Sequence, residues 1–269
     1  MRLYYAGSEP KQSFETLVRL GVKSFLYSFY STNGKPFHSY DKQYNVFLDS
    51  GGFVARTRGV EISVVDYADY IIKMGLNNLP NVVYANLDLM DTAGTLKNQE
   101  YLESRGLKPL PVYHFSELQA GNKELLKRYC EKHKYIAVGG VAAMGLSEPQ
   151  KKYYLDFVFS ITKDKIKVHG FGINDPRVLR EYPFYSADAT SWLQGARYGI
   201  VTQFNSKEGK LKSFSKSRKI SKHDYNNSKT LETIMAGDYK ASNVKNIMEY
   251  IKLEKYITDL WKARGVNWD

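Results

Sequence analysis

The sequence contains a single cysteine, and this scarcity limits the kinds of protein it can encode. With only Cys130 among 269 residues, the chain can form neither an internal disulfide nor a zinc site built from several cysteines. Cys130 lies in a helix-like stretch, where a thiol is more often packed than nucleophilic. These features indicate a reducing compartment.

Long apolar runs are also absent. No segment approaches the length needed to span a bilayer, and the first residues lack the charged-then-apolar pattern of a signal segment. We therefore expect a soluble, cytoplasmic protein. The 43% hydrophobic content is enough to build one compact domain over residues 1–269 without disulfides.

Acidic residues are scarce relative to basic ones. The chain has 28 Asp and Glu against 39 Lys and Arg, giving a net charge of +11 at pH 7, which indicates a polyanionic partner. Between Ser206 and Lys229, eight basic and two acidic residues contribute +6 of that +11. The candidate nucleic-acid contacts in this basic loop, at about 206–229, are Lys207, Lys210, Lys212, Lys216, Arg218, Lys219 and Lys222. The alternative is a solvated, lysine-rich surface.

Short apolar runs recur at rather regular spacing and predict eight strands. They are Leu3–Ala6, Phe25–Tyr30, Val46–Leu48, Val82–Leu87, Leu110–Phe115, Tyr135–Val138, Lys167–Phe171 and Phe184–Ala187. Helical periodicity lies between several of them, at Ser63–Leu76, Leu118–His133 and Pro149–Thr162. Alternating strands and helices predict parallel pairing. We expect a single-domain α/β fold, a closed (β/α)₈ TIM barrel, with a doubly wound open sheet as the alternative.

The last third of the chain adds three further elements to this prediction. Ile200–Phe204 is a possible extra strand, and Lys229–Met235 and Val244–Arg264 are predicted helices that close the outer ring.

Two aspartates stand where predicted strands end. Asp49 begins Asp-Ser-Gly-Gly-Phe, and Asp188 follows the eighth apolar run. Residues at the carboxyl ends of barrel strands converge on one mouth, so we expect the two carboxylates to share a pocket. Each has a simpler interpretation: the first segment is an ordinary turn, and Asp188 is a helix N-cap.

Four segments, in this order, resemble the tRNA-guanine transglycosylases and their DNA-acting relatives, which exchange guanine for a 7-deazaguanine. Asp49-Ser-Gly-Gly-Phe53 is similar to the family's Asp-Ser-Gly-Gly-aromatic motif, and Asn86-Leu-Asp-Leu-Met-Asp91 to its base-reading segment. Tyr135–Ala142 resembles the Gly-Gly substrate loop, and His169-Gly-Phe-Gly172 followed by Asp188 resembles the glycine turn and nucleophile. The resemblance covers about residues 45–192.

The resemblance implies catalytic roles for two carboxylates. Asp188 would attack C1′ of the nucleoside and form a covalent glycosyl-enzyme. Asp49 would act as general acid and base for the two bases. Asp88 would accept hydrogen bonds from the guanine edge, with Asp91 as the alternative.

The remaining implied contacts surround the base. Ser50, within the Ser50-Gly51-Gly52 turn, and the amides of Gly139 and Gly140 would hold its polar edge, while Phe53 and His169, which precedes Gly170, would flank its faces. His114 stands where a glutamine is expected and is either a substitute donor or a structural histidine. Phe53 as core and the glycines as turn formers are the simpler interpretations.

Departures from the family pattern narrow the substrate. The zinc-binding cysteines of the tRNA enzymes are missing, Val54 replaces a glutamine, and no RNA-binding domain is appended. We therefore expect no metal, no cofactor and no zinc subdomain. The departures favour the compact, phage-type relatives that insert a preQ0-like base into DNA and so evade restriction, in which case the compartment is the host cytoplasm.

Three alternatives remain open at this point: a tRNA-modifying enzyme, a non-catalytic nucleic-acid-binding subunit with the same barrel, and a barrel enzyme acting on small phosphosugars. A homodimer or a partner protein is also possible.

Overall fold

The computed structural model describes residues 1–32, 34–38, 42–89, 91–141, 145–163, 165–215 and 238–268. Eight strands form one all-parallel sheet: β1 Arg2–Ala6, β2 Ser24–Ser28, β3 Asn45–Asp49, β4 Val82–Tyr84, β5 Val112–His114, β6 Tyr135–Gly139, β7 Lys167–Gly170 and β8 Ser186–Ala189. Two further strands, β9 Val201–Asn205 and β10 Lys210–Phe214, pair as a separate antiparallel hairpin.

Helices connect most of the parallel strands. In the described residues they are α1 Lys11–Arg19, α2 Phe29–Thr32, α3 Gly52–Thr57, α4 Val64–Lys73, α5 Thr92–Ser104, α6 Phe115–Gln119, α7 Lys123–Lys132, α8 Glu148–Thr162, α9 Pro176–Glu181, α10 Gln194–Tyr198 and α11 Tyr239–Ala263. Short 3₁₀ turns cover Leu76–Asn78 and Ser191–Leu193. No helix in the described part of the chain is long and apolar enough to cross a membrane.

The strand order is β4-β3-β2-β1-β8-β7-β6-β5, so the first and last strands pair with each other. This is the cyclic order of a curled, TIM-like sheet and not the order of a doubly wound one. The outer strands β4 and β5 meet at one isolated parallel bridge, Ala85 to Leu110, in place of a ladder. The Asn86 N–H still donates to the Leu110 carbonyl at 2.9 Å, and the Asp88 N–H then donates back to the Asn86 carbonyl at 3.1 Å, so the chain turns away after Asn86. The sheet is therefore curled and TIM-like, but a ladder between β4 and β5 does not close it as predicted.

The curled sheet encloses a second, smaller core. Side chains alternate along β1, so that Leu3 and Tyr5 pack under the helices while Tyr4 and Ala6 face inward. The inward-facing cluster combines residues of β1, β2, β3, β5 and β6 with the two residues of the β4–β5 bridge: Tyr4, Ala6, Leu26, Phe47, Ala85, Leu110, Val112 and Ala137. Contact among these residues requires the sheet to curve round on itself.

Several element predictions need correction. The strand predicted through Tyr30 ends at Ser28, where α2 begins. The predicted helix Leu118–His133 is two helices, because Gly121 has a φ of +81° that an α-helix cannot contain. The possible extra strand at 200–204 exists as β9, outside the parallel sheet. The helix predicted at 229–235 lies outside the described residues.

Candidate active site

A pocket of about 450 Å³ opens at the carboxyl ends of the parallel strands. Its wall includes a residue from, or directly following, each of the eight strands: Ala6, Ser28, Asp49, Asp88, His114, Gly139, Phe171 and Asp188. The expected convergence of Asp49 and Asp188 is thus present, and Asp88 joins them.

Asp49 is the last residue of β3. Burial raises the pKa of its carboxyl to about 8, with further contributions from the negative charges of Asp88 and Asp188. The N–H groups of Gly51 and Ser50 oppose this increase only in part. Asp49 is therefore largely protonated at neutral pH and can donate a proton.

Asp188 lies inside β8 and is buried. Its Oδ1 accepts the backbone N–H of Gly172 at 2.7 Å. The N-cap interpretation is wrong, because the next helical turn begins only at Ser191. The site therefore combines a carboxyl group of raised pKa, Asp49, with a second one that a backbone amide holds in place.

His169 lies beneath Asp188 and is fully buried, outside the pocket wall. Its ring stacks on Phe47 with centroids 4.2 Å apart. Phe47 is a core side chain, so it covers a face of His169 that was expected to contact a substrate base. Nε2 is 3.4 Å from Asp188 Oδ1. Burial lowers the pKa of His169, despite the opposing effect of Asp188.

A hydrogen-bonded chain connects His169 to the interior of the sheet. Its Nδ1 is 2.8 Å from Ser186 Oγ, which is 2.6 Å from the hydroxyl of Tyr135. If Ser186 donates to Nδ1, the neutral ring carries its proton on Nε2, facing Asp188. At 3.4 Å from Asp188 Oδ1, Nε2 makes no hydrogen bond, so His169 faces the carboxylate from the core and does not line the pocket.

Asp88 pairs with His114 across the pocket, with Nε2 and Oδ2 2.9 Å apart. Burial alone would lower the pKa of His114, but the hydrogen bond and charge of Asp88, aided by Glu117, raise it. An ideal Cβ at Gly139 would lie 2.6 Å from the His114 ring, so only glycine leaves room for this pair. Gly140, at a φ of +85°, also lines the pocket.

The Ser50-Gly51-Gly52 turn supports the pocket from behind. Ser50 is buried, and its Oγ accepts the Gly52 N–H at 3.4 Å. Gly51 has a φ of +78°, and an added Cβ would overlap Ser28. A Cβ at Gly52 would meet the carbonyl oxygen of Asp88 at 3.0 Å. None of the three lines the pocket, which favours the conformational interpretation.

Two other residues predicted to contact the base, Asp91 and Gly170, have structural roles instead. Asp91 caps α5, its Oδ1 accepting the Gly94 N–H at 2.6 Å, and it does not line the pocket. Of the two candidate base-reading aspartates, only Asp88 does so. Gly170 is confined by Ile173 and Phe184, which an added Cβ would meet at 2.8 and 2.9 Å.

Phe53 does line the pocket and is 48% exposed, so it is not core. The sequence analysis missed other wall residues, among them Arg56, Phe171 and Arg197. Arg56 follows Phe53 by three residues in α3, a helical spacing that could have identified it. Arg197 belongs to the short α10 and carried no comparable signal.

The basic loop is described only in part. Lys207, Lys210 and Lys212 lie in the β9–β10 hairpin, while Lys216, Arg218, Lys219 and Lys222 lie outside the described residues. Lys210 borders a groove with Asn174 and Ser191, which follow β7 and β8. Lys210 therefore reaches the end of the sheet at which the pocket opens, whereas the tip of the hairpin at Glu208 lies against Arg180 near the end of α9.

Comparison with known proteins does not assign this site. No protein-family model matches the chain, and no curated protein matches it. The residues of the pocket, and the resemblance of its motifs, carry the functional argument.

Proposed function

We propose that this chain is a guanine transglycosylase that replaces guanine in DNA with a 7-deazaguanine through a covalent glycosyl-aspartate. The observation that carries the proposal is the pair of carboxyl groups in one pocket: Asp49 with a pKa of about 8 beside Asp188, which accepts an amide hydrogen bond. A double displacement at a glycosidic carbon needs one carboxyl group that donates a proton and a second one that attacks as the nucleophile.

In the first step, Asp188 attacks C1′ while the bond from C1′ to the guanine nitrogen breaks. The electron pair of that bond leaves with guanine, and Asp49 supplies a proton to the departing base. An ester then links the sugar to Asp188. The Gly172 N–H, which donates to Asp188 Oδ1 at 2.7 Å, keeps the attacking carboxylate oriented.

The second step reverses the first with another base. Asp49, now ionised, takes the ring proton of the incoming 7-deazaguanine, whose nitrogen attacks C1′ and displaces Asp188. Because the proton returns to Asp49, no cofactor or metal takes part in the balance. The mechanism therefore needs only groups that line one pocket.

Base selection belongs to Asp88 and His114. A carboxylate beside a histidine of raised pKa offers acceptor oxygens to the N1–H and amino group of a guanine-like edge. Phe53 presents an exposed ring to a base face, and Gly139 and Gly140 let the base approach the backbone.

The rim supports a nucleic-acid substrate. Arg56 and Arg197 border the pocket and suit phosphates on either side of a base flipped out of its stack. Lys210 flanks the same end of the sheet. The missing zinc cysteines favour DNA over tRNA, and in this proposal the curled sheet acts as a closed (β/α)₈ barrel around the flipped base.

The test is incorporation of radiolabelled guanine and 7-cyano-7-deazaguanine into duplex DNA, single-stranded DNA and unmodified tRNA. We expect label in DNA, abolished by Asp188→Ala. Asp91→Asn is the matched control, since Asp91 caps a helix away from the pocket and Asn caps a helix about as well as Asp.

The other outcomes would each replace the proposal. Label confined to tRNA would identify a tRNA enzyme. Absence of label from every substrate, with DNA binding equal for the intact protein and Asp188→Ala, would identify a non-catalytic binding subunit.

A further inference from the structure

A second cleft lies at the opposite end of the sheet from the active-site pocket. It has a volume of about 560 Å³ and is bordered by Arg2, Asn45 and Lys167, which begin β1, β3 and β7. Its size falls within the range of small-molecule sites. Tyr135, which lines it, is connected to His169 through Ser186, but none of the lining residues takes a direct part in the proposed reaction.

The cleft is strongly basic. Four of its lining residues are cationic, namely Arg2, Lys134, Lys165 and Lys167, and no Asp or Glu is among the described residues that line it. The charge of Arg2 acts to lower the pKa of Glu254, against the larger effect of burial. The Glu254 carboxylate, however, accepts the Leu3 N–H at 2.9 Å and does not line the cleft. Four like charges in one cleft repel each other, and a bound anion would relieve that repulsion.

Aromatic rings hold two of these cations in place. Lys167 Nζ lies 4.5 Å from the centroid of Tyr185, and the Arg2 guanidinium lies 5.5 Å from the same centroid. Arg2 Nη1 also donates to the hydroxyl of Tyr4 at 3.3 Å. Cations fixed on a ring lose less conformational entropy when they bind a ligand than free side chains do.

An indole N–H without an acceptor also indicates an anionic ligand. Trp268 borders the cleft, and its Nε1 is buried without a hydrogen-bond partner among the described residues. Its ring meets Tyr185 edge-on at 6.1 Å. A buried N–H left unpaired carries a desolvation penalty that an anionic oxygen would remove.

We propose that this cleft binds the phosphate groups of a small oligophosphate ligand, of the nucleoside polyphosphate class. Arg2 can grip phosphate oxygens with two parallel donors, the lysines add point charges, and the Trp268 N–H supplies a directional bond. The half-buried rings of Tyr185 and Trp268 then meet the nucleoside. The proposal is independent of the transglycosylase activity.

Titration calorimetry on the intact protein tests the proposal with inorganic tripolyphosphate, ATP and adenosine. We expect tripolyphosphate to bind with one-to-one stoichiometry and Arg2→Gln/Lys167→Gln to weaken it by at least about tenfold. Lys134→Gln/Lys165→Gln, at exposed positions, repeats the test if the first variant misfolds. Lys97→Gln/Lys127→Gln removes the same charge from helices α5 and α7 and should leave binding unchanged.

Comparison of the three ligands also distinguishes a nucleotide from a phosphate chain without a nucleoside. ATP binding tighter than tripolyphosphate identifies a nucleotide ligand, and equal affinity identifies the phosphate chain alone, while adenosine alone should not bind. Equal weakening by the cleft and control variants would overturn the proposal, as would a failure of tripolyphosphate to bind the intact protein.

Discussion

At the scale of single residues, the pocket brings together two carboxyl groups with different surroundings. Burial and the negative charges of Asp88 and Asp188 raise the pKa of Asp49 to about 8, whereas Asp188 lies within β8 and its Oδ1 accepts the Gly172 N–H at 2.7 Å. In the proposed reaction the first carboxyl group would act as the acid and the second as the nucleophile. This difference comes from what surrounds each aspartate and is absent from the motif itself.

Asp49→Asn should raise the stability of the fold while lowering the activity. The folded pKa of Asp49, about 8, lies above that of the unfolded chain, so ionisation destabilises the fold progressively as pH rises from about 4 to about 8. The variant should therefore be more stable than the intact protein by a margin that grows by at most about 1.4 kcal/mol per pH unit in that window. Thermal unfolding of both proteins at pH 5, 7 and 9 measures this margin.

The same substitution should reduce base exchange by about 10² to 10⁴, and exchange by the intact protein should decline above pH 8 as the acid is lost. A stability margin that stays constant with pH would show that Asp49 is already ionised. Asp91→Asn, at a helix cap, serves as the pH-independent comparison.

The sequence alone could locate Asp49, Asp88, His114 and Asp188, because each lies near the end of an apolar run and such ends converge. It could not separate Asp88 from Asp91, since only the course of the chain turns one into the pocket and makes the other a cap. His169 was misjudged for a similar reason: side chains alternate along β7, and its position faces the interior.

At the scale of secondary-structure elements, the close packing of neighbouring strand ends depends on glycine. Gly139 ends β6 against His114 at the end of β5, and the two are paired in register. Gly139→Ala should push the imidazole away from Asp88, since the new Cβ would lie 2.6 Å from the ring. We expect kcat/KM for base exchange to fall by about tenfold or more, the effect of losing one charge-assisted hydrogen bond, with thermal stability lowered by a few degrees.

A double variant separates this steric effect from a general disturbance of β6. In a His114→Ala background the obstructing ring is gone, so Gly139→Ala should then have little further effect on kcat/KM. Additive losses in the double variant would contradict the proposed contact.

The eight strands were predictable because buried parallel strands are short, apolar and rich in β-branched or aromatic residues. The way the sheet ends was not. β4 and β5 lie at the two ends of the strand order and meet at a single bridge, Ala85 to Leu110, in place of the ladder that a closed barrel would have, and no local pattern marks that difference. The split between α6 and α7 was in principle visible, since Gly121 interrupts the predicted helix.

At the scale of the whole molecule, the excess positive charge lies in more than one place. The basic cleft at the amino ends of the strands has four cations, and Lys210 of the β9–β10 hairpin borders a groove near the opposite end. Sequence analysis found only the hairpin, because its lysines are close together in the chain while the cations of the cleft come from three separate segments. The net charge of +11 is thus divided between at least two separate basic regions.

The hairpin should contribute a salt-dependent share of DNA binding. Lys207, Lys210 and Lys212 lie on it, and Lys210 Nζ is 3.8 Å from Glu208, a pair too exposed to hold it against a phosphate. Changing all three lysines to Gln should weaken binding to duplex DNA and reduce the slope of log K against log salt by about 2 to 3, since each phosphate contact contributes about 0.9. Fluorescence anisotropy between 50 and 300 mM salt measures both, with Lys97→Gln/Lys127→Gln/Lys151→Gln as the matched charge control. Because both triple variants lower the net charge equally, an identical loss of slope would mean that overall charge attracts the DNA, whereas a loss confined to the hairpin variant means that DNA enters beside β7 and β8.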